Sequence, residues 1–190
     1  MAYAFPMSDA KGRVVGIRLR RPDGIKLAVR GGREGLFLPT VPSKVEKRLL
    51  ICEGPTDAAA LLDLGYSYVV GRPSCTGGVK LLVQLAQKRR WPEAVIVADA
   101  DEPGRRGADS LASLLVCYVP EVRVIVPPGD VKDVRDFLKG SGKRTDVEAA
   151  IDAAPVRRLR VMTRRVTRER PPLSSRLPAR RPQSAGDGPC

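Results

Sequence analysis

Two aspartates separated by one residue, Asp99 and Asp101, directly follow an uncharged apolar run at residues 94–98. A run rich in β-branched residues that ends near a Pro-Gly pair is typical of a strand buried on both faces. On a strand, residues two apart point to the same side, with their backbones about 7 Å apart. Carboxylates that close repel each other, so a cation beside them would stabilise the pair. The spacing therefore predicts a metal-binding function.

More acidic residues are expected at the same edge of the sheet. Glu53 follows a second uncharged apolar run at residues 49–52, and the segment 127–136 after a later strand carries three aspartates. Because ligands bind at the carboxyl ends of parallel strands, these acids are predicted to converge on one rim. Carboxylates with room for water suit Mg²⁺, the usual ion for handling phosphates.

The residue types that are missing exclude other chemistries. The 190 residues contain no histidine, which excludes serine-type triads and any mechanism with an imidazole base. The four cysteines are scattered and do not form the paired Cys-x-x-Cys hooks of a zinc ribbon. Carboxylate-bound metal is the chemistry that remains.

The elements that would position these acids begin near residue 47. Apolar runs predict strands at 48–52, 66–70, 94–98 and 122–126, and amphipathic segments predict helices at about 55–64, 79–89, 106–118, 131–138 and 146–153. This alternation predicts an α/β fold with a doubly wound, mainly parallel sheet flanked by helices. Asp57 is interpreted as a first-turn acid that opposes the helix dipole. Arg72 is interpreted either as a phosphate contact or, as is usual for a basic residue near a loop, as a solvated side chain.

The two ends of the chain differ from this pattern. Loose alternation at 13–20 and 25–30 around a turn predicts a small β-hairpin with basic residues on one face. The predicted domains are therefore a hairpin and linker at 1–45, an α/β domain at 46–154 and a disordered tail at 155–190. The tail is rich in proline and carries ten Arg against two acids, about 8 of the 13 net positive charges. It is either a nucleic-acid-contacting arm or a solvated extension.

The net charge of +13 suggests a polyanionic partner, most simply nucleic acid. No run of 18 apolar residues and no signal-peptide layout is present, so we expect a cytoplasmic protein that contacts no membrane.

Residues 52–57, Cys-Glu-Gly-Pro-Thr-Asp, followed at 99–104 by Asp-Ala-Asp-Glu-Pro-Gly, resemble the Toprim domain shared by primases, topoisomerases and certain nucleases. The hairpin and the loop at 71–78 are most similar to primase-like proteins of phages and mobile elements. The resemblance implies that Glu53, Asp99 and Asp101 are catalytic residues that also bind metal, with Glu53 acting as the general acid or base. Asp133 fits the first acid of a later metal-binding motif, and Arg135 stands where primases usually have a second acid.

The resemblance further implies Mg²⁺- or Mn²⁺-dependent nucleotidyl transfer on a single-stranded DNA template, with nucleoside triphosphates as substrates, for primer synthesis in DNA replication. A separate helicase or zinc-ribbon protein would be a fitting partner, since neither part is recognisable in this sequence. Two alternatives remain open: a Toprim-type metal-dependent nuclease, and a non-catalytic nucleic-acid-binding relative. The basic tail and Arg135 favour the last of these.

Overall fold

The computed structural model describes residues 1–39 and 47–161, and Met1–Arg160 form one compact unit. Seven strands and five helices occur in the described residues. In chain order they are β1 (Tyr3–Ser8), β2 (Val14–Arg20), β3 (Lys26–Ala28), β4 (Arg48–Glu53), α1 (Gly54–Asp63), β5 (Val69–Arg72), α2 (Val79–Lys88), β6 (Glu93–Val97), α3 (Glu102–Leu115), β7 (Glu121–Ile125), α4 (Val134–Lys139) and α5 (Arg144–Ala153).

Strand β4 is buried on both faces, which explains why its sequence is an uncharged apolar run. Leu49 and Ile51 pack on one face of the sheet, and Leu50 and Cys52 pack on the other. Helices α2 and α3 cover the first face through Leu82, Leu85, Leu111 and Leu115, and α1, α4 and α5 cover the second through Leu61, Phe137, Val147 and Ile151. The predicted doubly wound α/β architecture is confirmed.

The four strands of the main sheet are parallel and lie in the order β5-β4-β6-β7. The chain starts at β4, moves outward to β5, and then crosses back to β6 on the other side of β4. The direction of winding therefore reverses between β4 and β6. In sheets of this type the crevice at such a reversal, at the carboxyl ends of the strands, is where ligands bind.

The N-terminal region is a three-stranded antiparallel sheet in the order β1-β2-β3. The predicted hairpin is present as β2 and β3, and β1 is an additional strand that the sequence did not predict. Arg18 pairs with Phe5 and Ala28, and Arg20 pairs with Tyr3 and Lys26, so the side chains of Arg18, Arg20 and Lys26 lie on one face. This confirms the expected basic face.

The N-terminal sheet is joined to the main sheet through residues 33–37. Leu36 and Ser8 exchange two backbone hydrogen bonds, of 2.7 and 2.8 Å, and Phe37 and Gly71 exchange two of 2.9 Å. Leu36 is fully buried. The two sheets therefore have a fixed relative position, and the basic face is held opposite the carboxyl ends of the parallel strands.

Two predicted boundaries were wrong for identifiable reasons. The strand predicted at 66–70 begins at Val69. Tyr66 and Tyr68 are buried outside the strand, against the Arg144 guanidinium and Trp91, so the apolar pattern extends beyond the strand itself. The helix predicted from residue 106 begins at Glu102, because Pro103 is compatible with a first helical turn and Asp101 caps it.

The chain packs against the domain up to Arg160, beyond the predicted domain end at 154. Arg157 forms two backbone hydrogen bonds with Val122 and an ion pair with Asp109, and Arg158 pairs with Glu121. Most of the predicted tail and linker, residues 162–190 and 40–46, lies outside the described residues. Within the described ranges, every helix is too short or too polar to cross a bilayer.

Gly107 of α3 should not tolerate alanine, because a Cβ there would overlap the carbonyl oxygen of Cys75 and lie 2.9 Å from its carbonyl carbon. Crowding of this kind against backbone should lower the free energy of unfolding by about 2 kcal/mol or more. Gly140→Ala is the matched control, because its Cβ would meet only ordinary contacts of 3.5 and 3.6 Å. Urea unfolding should show the loss for Gly107→Ala alone; equal stability of both variants would contradict the close approach.

Candidate functional site

Glu53 and Asp99 lie where the sheet topology predicts a crevice. Glu53 is the last residue of β4, and Asp99 follows the end of β6 by two residues. Gly54 has a φ of 77°, which lets the chain turn directly from β4 into α1. Both carboxylates line one cleft between the main sheet and the N-terminal sheet. The structure thus brings these two predicted site residues together.

Asp133 reaches the same cleft from the loop after β7. The loop is tied to the Asp99 segment by a 2.8 Å hydrogen bond from the Ala100 N–H to the Lys132 carbonyl. Asp133 is buried, with 6% of its surface exposed, and its Oδ1 accepts a 2.8 Å hydrogen bond from the Asp136 N–H at the start of α4. A third predicted residue therefore joins the cleft, with one oxygen engaged in capping a helix.

Asp101 has a different environment from the one expected for a residue on a strand. Strand β6 ends at Val97, so Asp99 and Asp101 do not alternate along an extended ladder. The Asp101 Oδ1 accepts a 2.9 Å hydrogen bond from the Gly104 N–H and caps α3, while its Oδ2 lies 3.3 Å from the Lys132 ammonium. The Gly104 N–H and Lys132 hold the pKa of Asp101 below its ordinary value. Asp101 is not among the residues that line the cleft, and its side chain is 42% exposed.

Asp57 is a cleft residue whose importance the sequence analysis missed. It lies in the first turn of α1 as predicted, but it is 7% exposed and lines the cleft with Glu53, Asp99 and Asp133. Its Oδ1 accepts a 3.4 Å hydrogen bond from the Arg135 N–H. Asp57 follows Glu53 by four residues, and α1 begins directly after Glu53. Residues four apart lie on the same side of a helix, so this spacing was the sequence signal that the two acids are neighbours.

Burial and mutual repulsion raise the pKa of several of these carboxyl groups. Burial, followed by the charges of Asp133 and Asp99, raises the pKa of Asp57 to about 7. Burial, followed by Asp133 and Asp101, raises the pKa of Asp99 to about 6. Burial and the Asp99 charge also raise the pKa of Glu53. Burial and the closeness of these acids therefore make it costly to keep all of them ionised in the metal-free cleft.

The opposite wall of the cleft is basic. Arg18, Arg20 and Lys26 line it from the N-terminal sheet. The Arg20 guanidinium donates a 3.2 Å hydrogen bond to Thr56 in the first turn of α1, which fixes this wall against the acidic one. The buried Nε of Arg18 has no hydrogen-bond partner among the described residues. The cleft therefore has hydrogen-bond donors suited to an anion on one wall and carboxylates suited to a cation on the other.

Arg72 is buried beside Glu53, so of its two interpretations the solvated side chain was wrong, and the phosphate contact stays a prediction. It ends β5, pairs in register with Glu53, and is 2% exposed. Its Nε donates a 3.2 Å hydrogen bond to the Gly77 carbonyl, which holds the 71–78 loop against the strand end. Burial lowers the pKa of Arg72, and the charge of Glu53 opposes that effect. Arg72 is thus a fixed positive charge behind Glu53.

The donor set fits a hydrated divalent cation better than a fully protein-enclosed one. Among residues 1–39 and 47–161, no three acidic, histidine or cysteine side chains are close enough to hold one ion together. Mg²⁺ keeps several of its waters and is commonly held through one or two carboxylates. Asp99, with its raised pKa and its place in the cleft wall, and the partly exposed Asp101 match that requirement.

Comparison with known proteins gives similarity in structure alone. No protein-family model matches the chain, and no curated protein matches its sequence. The DnaG primase catalytic domain bound to single-stranded DNA aligns with a TM-score of 0.65 at 22% identity, covering 82% of this chain and 52% of that one. The Escherichia coli primase catalytic core aligns with a TM-score of 0.60 at 21% identity, covering 82% and 53%.

A third similar structure comes from bacteriophage T7, an assembly of a lagging-strand DNA polymerase with primase domains bound to an RNA/DNA hybrid and dTTP. It aligns with a TM-score of 0.63 at 20% identity, covering 83% of this chain and 80% of that chain. The chain spans about half the length of the primase catalytic cores that it matches. The chain shares the Toprim-containing fold of primase catalytic cores, so the predicted resemblance is confirmed at the level of fold.

Proposed function

We propose that this chain is the Toprim-bearing part of a primase-like protein and carries out metal-dependent nucleotidyl transfer on a DNA template. The observation that carries the proposal is one cleft in which Glu53, Asp57, Asp99 and Asp133 face Arg18, Arg20 and Lys26. The cleft lies at the reversal point of a parallel sheet, where ligands of this architecture bind.

In this proposal Asp99 and Asp101 hold Mg²⁺ or Mn²⁺, and Arg20 and Lys26 bind the phosphates of the incoming nucleoside triphosphate. When bound, the ion would polarise the phosphates and neutralise charge that develops during transfer. Glu53 has a raised pKa, which suits a group that must take up or release a proton at its carboxylate oxygen. Arg72 stabilises the ionised form of Glu53 from behind.

The proposed partners are single-stranded DNA and nucleoside triphosphates. A helicase or a zinc-ribbon protein is a further proposed partner; the helicase is supported by a similar structure, the primase fragment of a bacteriophage T7 primase-helicase protein. The similar DnaG domain is bound to single-stranded DNA, which supports the proposed template.

Labelled single-stranded DNA tests the proposal directly. The chain is incubated with the DNA and Mg²⁺ or Mn²⁺, with and without ribonucleotides. New product that requires ribonucleotides supports primer synthesis, whereas shortened DNA would indicate a Toprim-type nuclease instead. Binding that falls steeply with salt, with neither product, would indicate the non-catalytic relative.

Lys26→Glu is expected to weaken nucleoside triphosphate binding about tenfold, or ~1.4 kcal/mol. The Lys26 charge lies close enough to Glu53 and Asp99 to oppose the rise in the pKa of both, so a glutamate there would add repulsion against phosphates. Titration with a fluorescent nucleotide in Mg²⁺ measures the change. Lys11→Glu makes the same charge change on an exposed turn that does not line this cleft. An equal loss in both variants would show a general effect of net charge.

A further inference from the structure

Arg135 inserts a positive charge into the acidic cleft at the point where the primase pattern has an acid. Its guanidinium lines the cleft together with Asp99 and Asp133. The Arg135 Nη2 donates a 2.8 Å hydrogen bond to Asp133 Oδ2, and Arg135 Nε lies 3.6 Å from Asp136 Oδ1. An arginine stays protonated at every pH at which the protein folds, so this charge is permanent.

Both oxygens of Asp133 are already occupied by the protein. Oδ1 accepts the Asp136 N–H at 2.8 Å, and Oδ2 accepts the Arg135 guanidinium at 2.8 Å. The Asp133 side chain is only 8% exposed, so it cannot turn outward to meet a hydrated ion. A divalent cation at Asp133 would have to displace the guanidinium and would then lie beside its positive charge.

Asp101 has a similar arrangement but a much weaker partner. Its Oδ2 lies 3.3 Å from Lys132, and the two side chains are 42% and 61% exposed. Exposed lysine pairs of this kind contribute little, and a divalent cation displaces them readily. Arg135 differs because it is 31% exposed, donates a 2.8 Å charge-assisted hydrogen bond to the buried Asp133, and forms a second ion pair with Asp136. Asp101 is therefore available to an ion, and Asp133 is not.

We infer that Arg135 is a built-in cation that takes the place of a second divalent ion, so that the cleft binds one ion at Asp99 and Asp101 and Asp133 is not a ligand. The inference rests on the proposed metal site, and it specifies how many ions that site holds. The remaining N–H groups of Arg135 then supply the positive charge on the Asp133 side of the cleft.

Counting bound Mn²⁺ tests the inference independently of activity. The chain is freed of metal with a chelator, titrated with Mn²⁺, and the free ion is measured by electron paramagnetic resonance. The unchanged chain should bind one Mn²⁺, and Arg135→Asp should bind two. Two ions on the unchanged chain, or one on Arg135→Asp, would overturn the inference while leaving the proposed function standing. No bound Mn²⁺ on the unchanged chain would overturn both.

Lys139→Asp is the matched control for charge. Lys139 also lies on α4 and also pairs with Asp136, at 3.2 Å, but it is 68% exposed and does not line the cleft. The Lys139→Asp variant should bind one Mn²⁺, as the unchanged chain does. A second bound ion in this variant would mean that added negative charge alone recruits metal, which would overturn the inference.

Asp133→Asn keeps the test decisive if Arg135→Asp fails to fold. Asparagine caps helices as well as aspartate does, so α4 should be retained. The inference expects this variant to lose less than about tenfold in Mn²⁺ affinity, because the Asp133 charge acts on the nearby Asp99 but Asp133 is not a ligand. A tenfold or greater loss of affinity would overturn it.

Discussion

Replacing Asp99 and Asp101 together with asparagine should abolish Mg²⁺-dependent nucleotide incorporation while the fold survives. Asp99 is the carboxylate of the cleft that follows β6, and Asp101 is the nearby acid whose lysine partner is easily displaced. Without their charges the cleft loses the groups proposed to hold the ion, and the transition state loses that electrostatic stabilisation. Losses of this kind exceed about a hundredfold in rate.

The fold should survive because, among the described residues, the only ion pair that the changes remove is the exposed one between Asp101 and Lys132, which contributes little to stability. Asparagine at position 101 still accepts the Gly104 N–H that caps α3. At position 99 the change removes a carboxylate whose pKa burial and neighbouring charges raise to about 6, so the metal-free protein should be no less stable at neutral pH. Thermal unfolding in chelator checks this point.

Asp152→Asn is the control for the loss of a carboxylate far from the cleft, since Asp152 is exposed near the end of α5. It should incorporate nucleotide at the rate of the unchanged chain. Activity that persists in the double variant would rule out the proposed role of Asp99 and Asp101, because the described residues offer the ion no better pair at this strand end.

The sequence could predict the layers of the fold because burial leaves a direct mark on composition. A strand covered on both faces, such as β4, must be apolar at every interior position, and a helix on the sheet must be apolar on one side. β1 was missed because Pro6 interrupts its pattern. In the structure β1 is an edge strand, where a residue without an N–H is tolerated.

The site was only partly predictable, because strand ends are visible in sequence but side-chain partners are not. Glu53 and Asp99 could be placed at one rim from the parallel sheet alone. The alternation argument for Asp101 failed because β6 ends at Val97 and the following turn redirects the side chain. The pairing of Arg135 with Asp133 depends on a loop geometry that no periodicity encodes.

Asp57→Asn should stabilise the metal-free protein, and the gain should depend strongly on pH. The Asp57 carboxyl is 7% exposed, and burial together with the charges of Asp133 and Asp99 raises its pKa to about 7. In the unfolded chain an aspartate titrates near 4. Between these values the folded state binds the proton that the unfolded state has released.

The direction of the pH dependence follows from that difference. When the folded state holds more protons, the free energy of unfolding falls as pH rises, so Asp57 lowers stability progressively between about pH 4 and pH 7. Above pH 7 the loss of stability is complete, and a pKa shift of this size corresponds to about 2–4 kcal/mol in the free energy of unfolding. Asparagine does not titrate, so the variant should exceed the unchanged chain by that amount at pH 8 and by little at pH 4.5.

Urea unfolding in chelator at both pH values measures the effect. Asp63→Asn makes the same change at the exposed end of the same helix and should alter the free energy of unfolding by less than about 0.5 kcal/mol. If Asp57→Asn were less stable than the unchanged chain at pH 8, the carboxylate would have to be stabilised by its 3.4 Å hydrogen bond from the Arg135 N–H. In that case the protein itself would stabilise the ionised acids of the cleft, and the case for a bound cation would weaken.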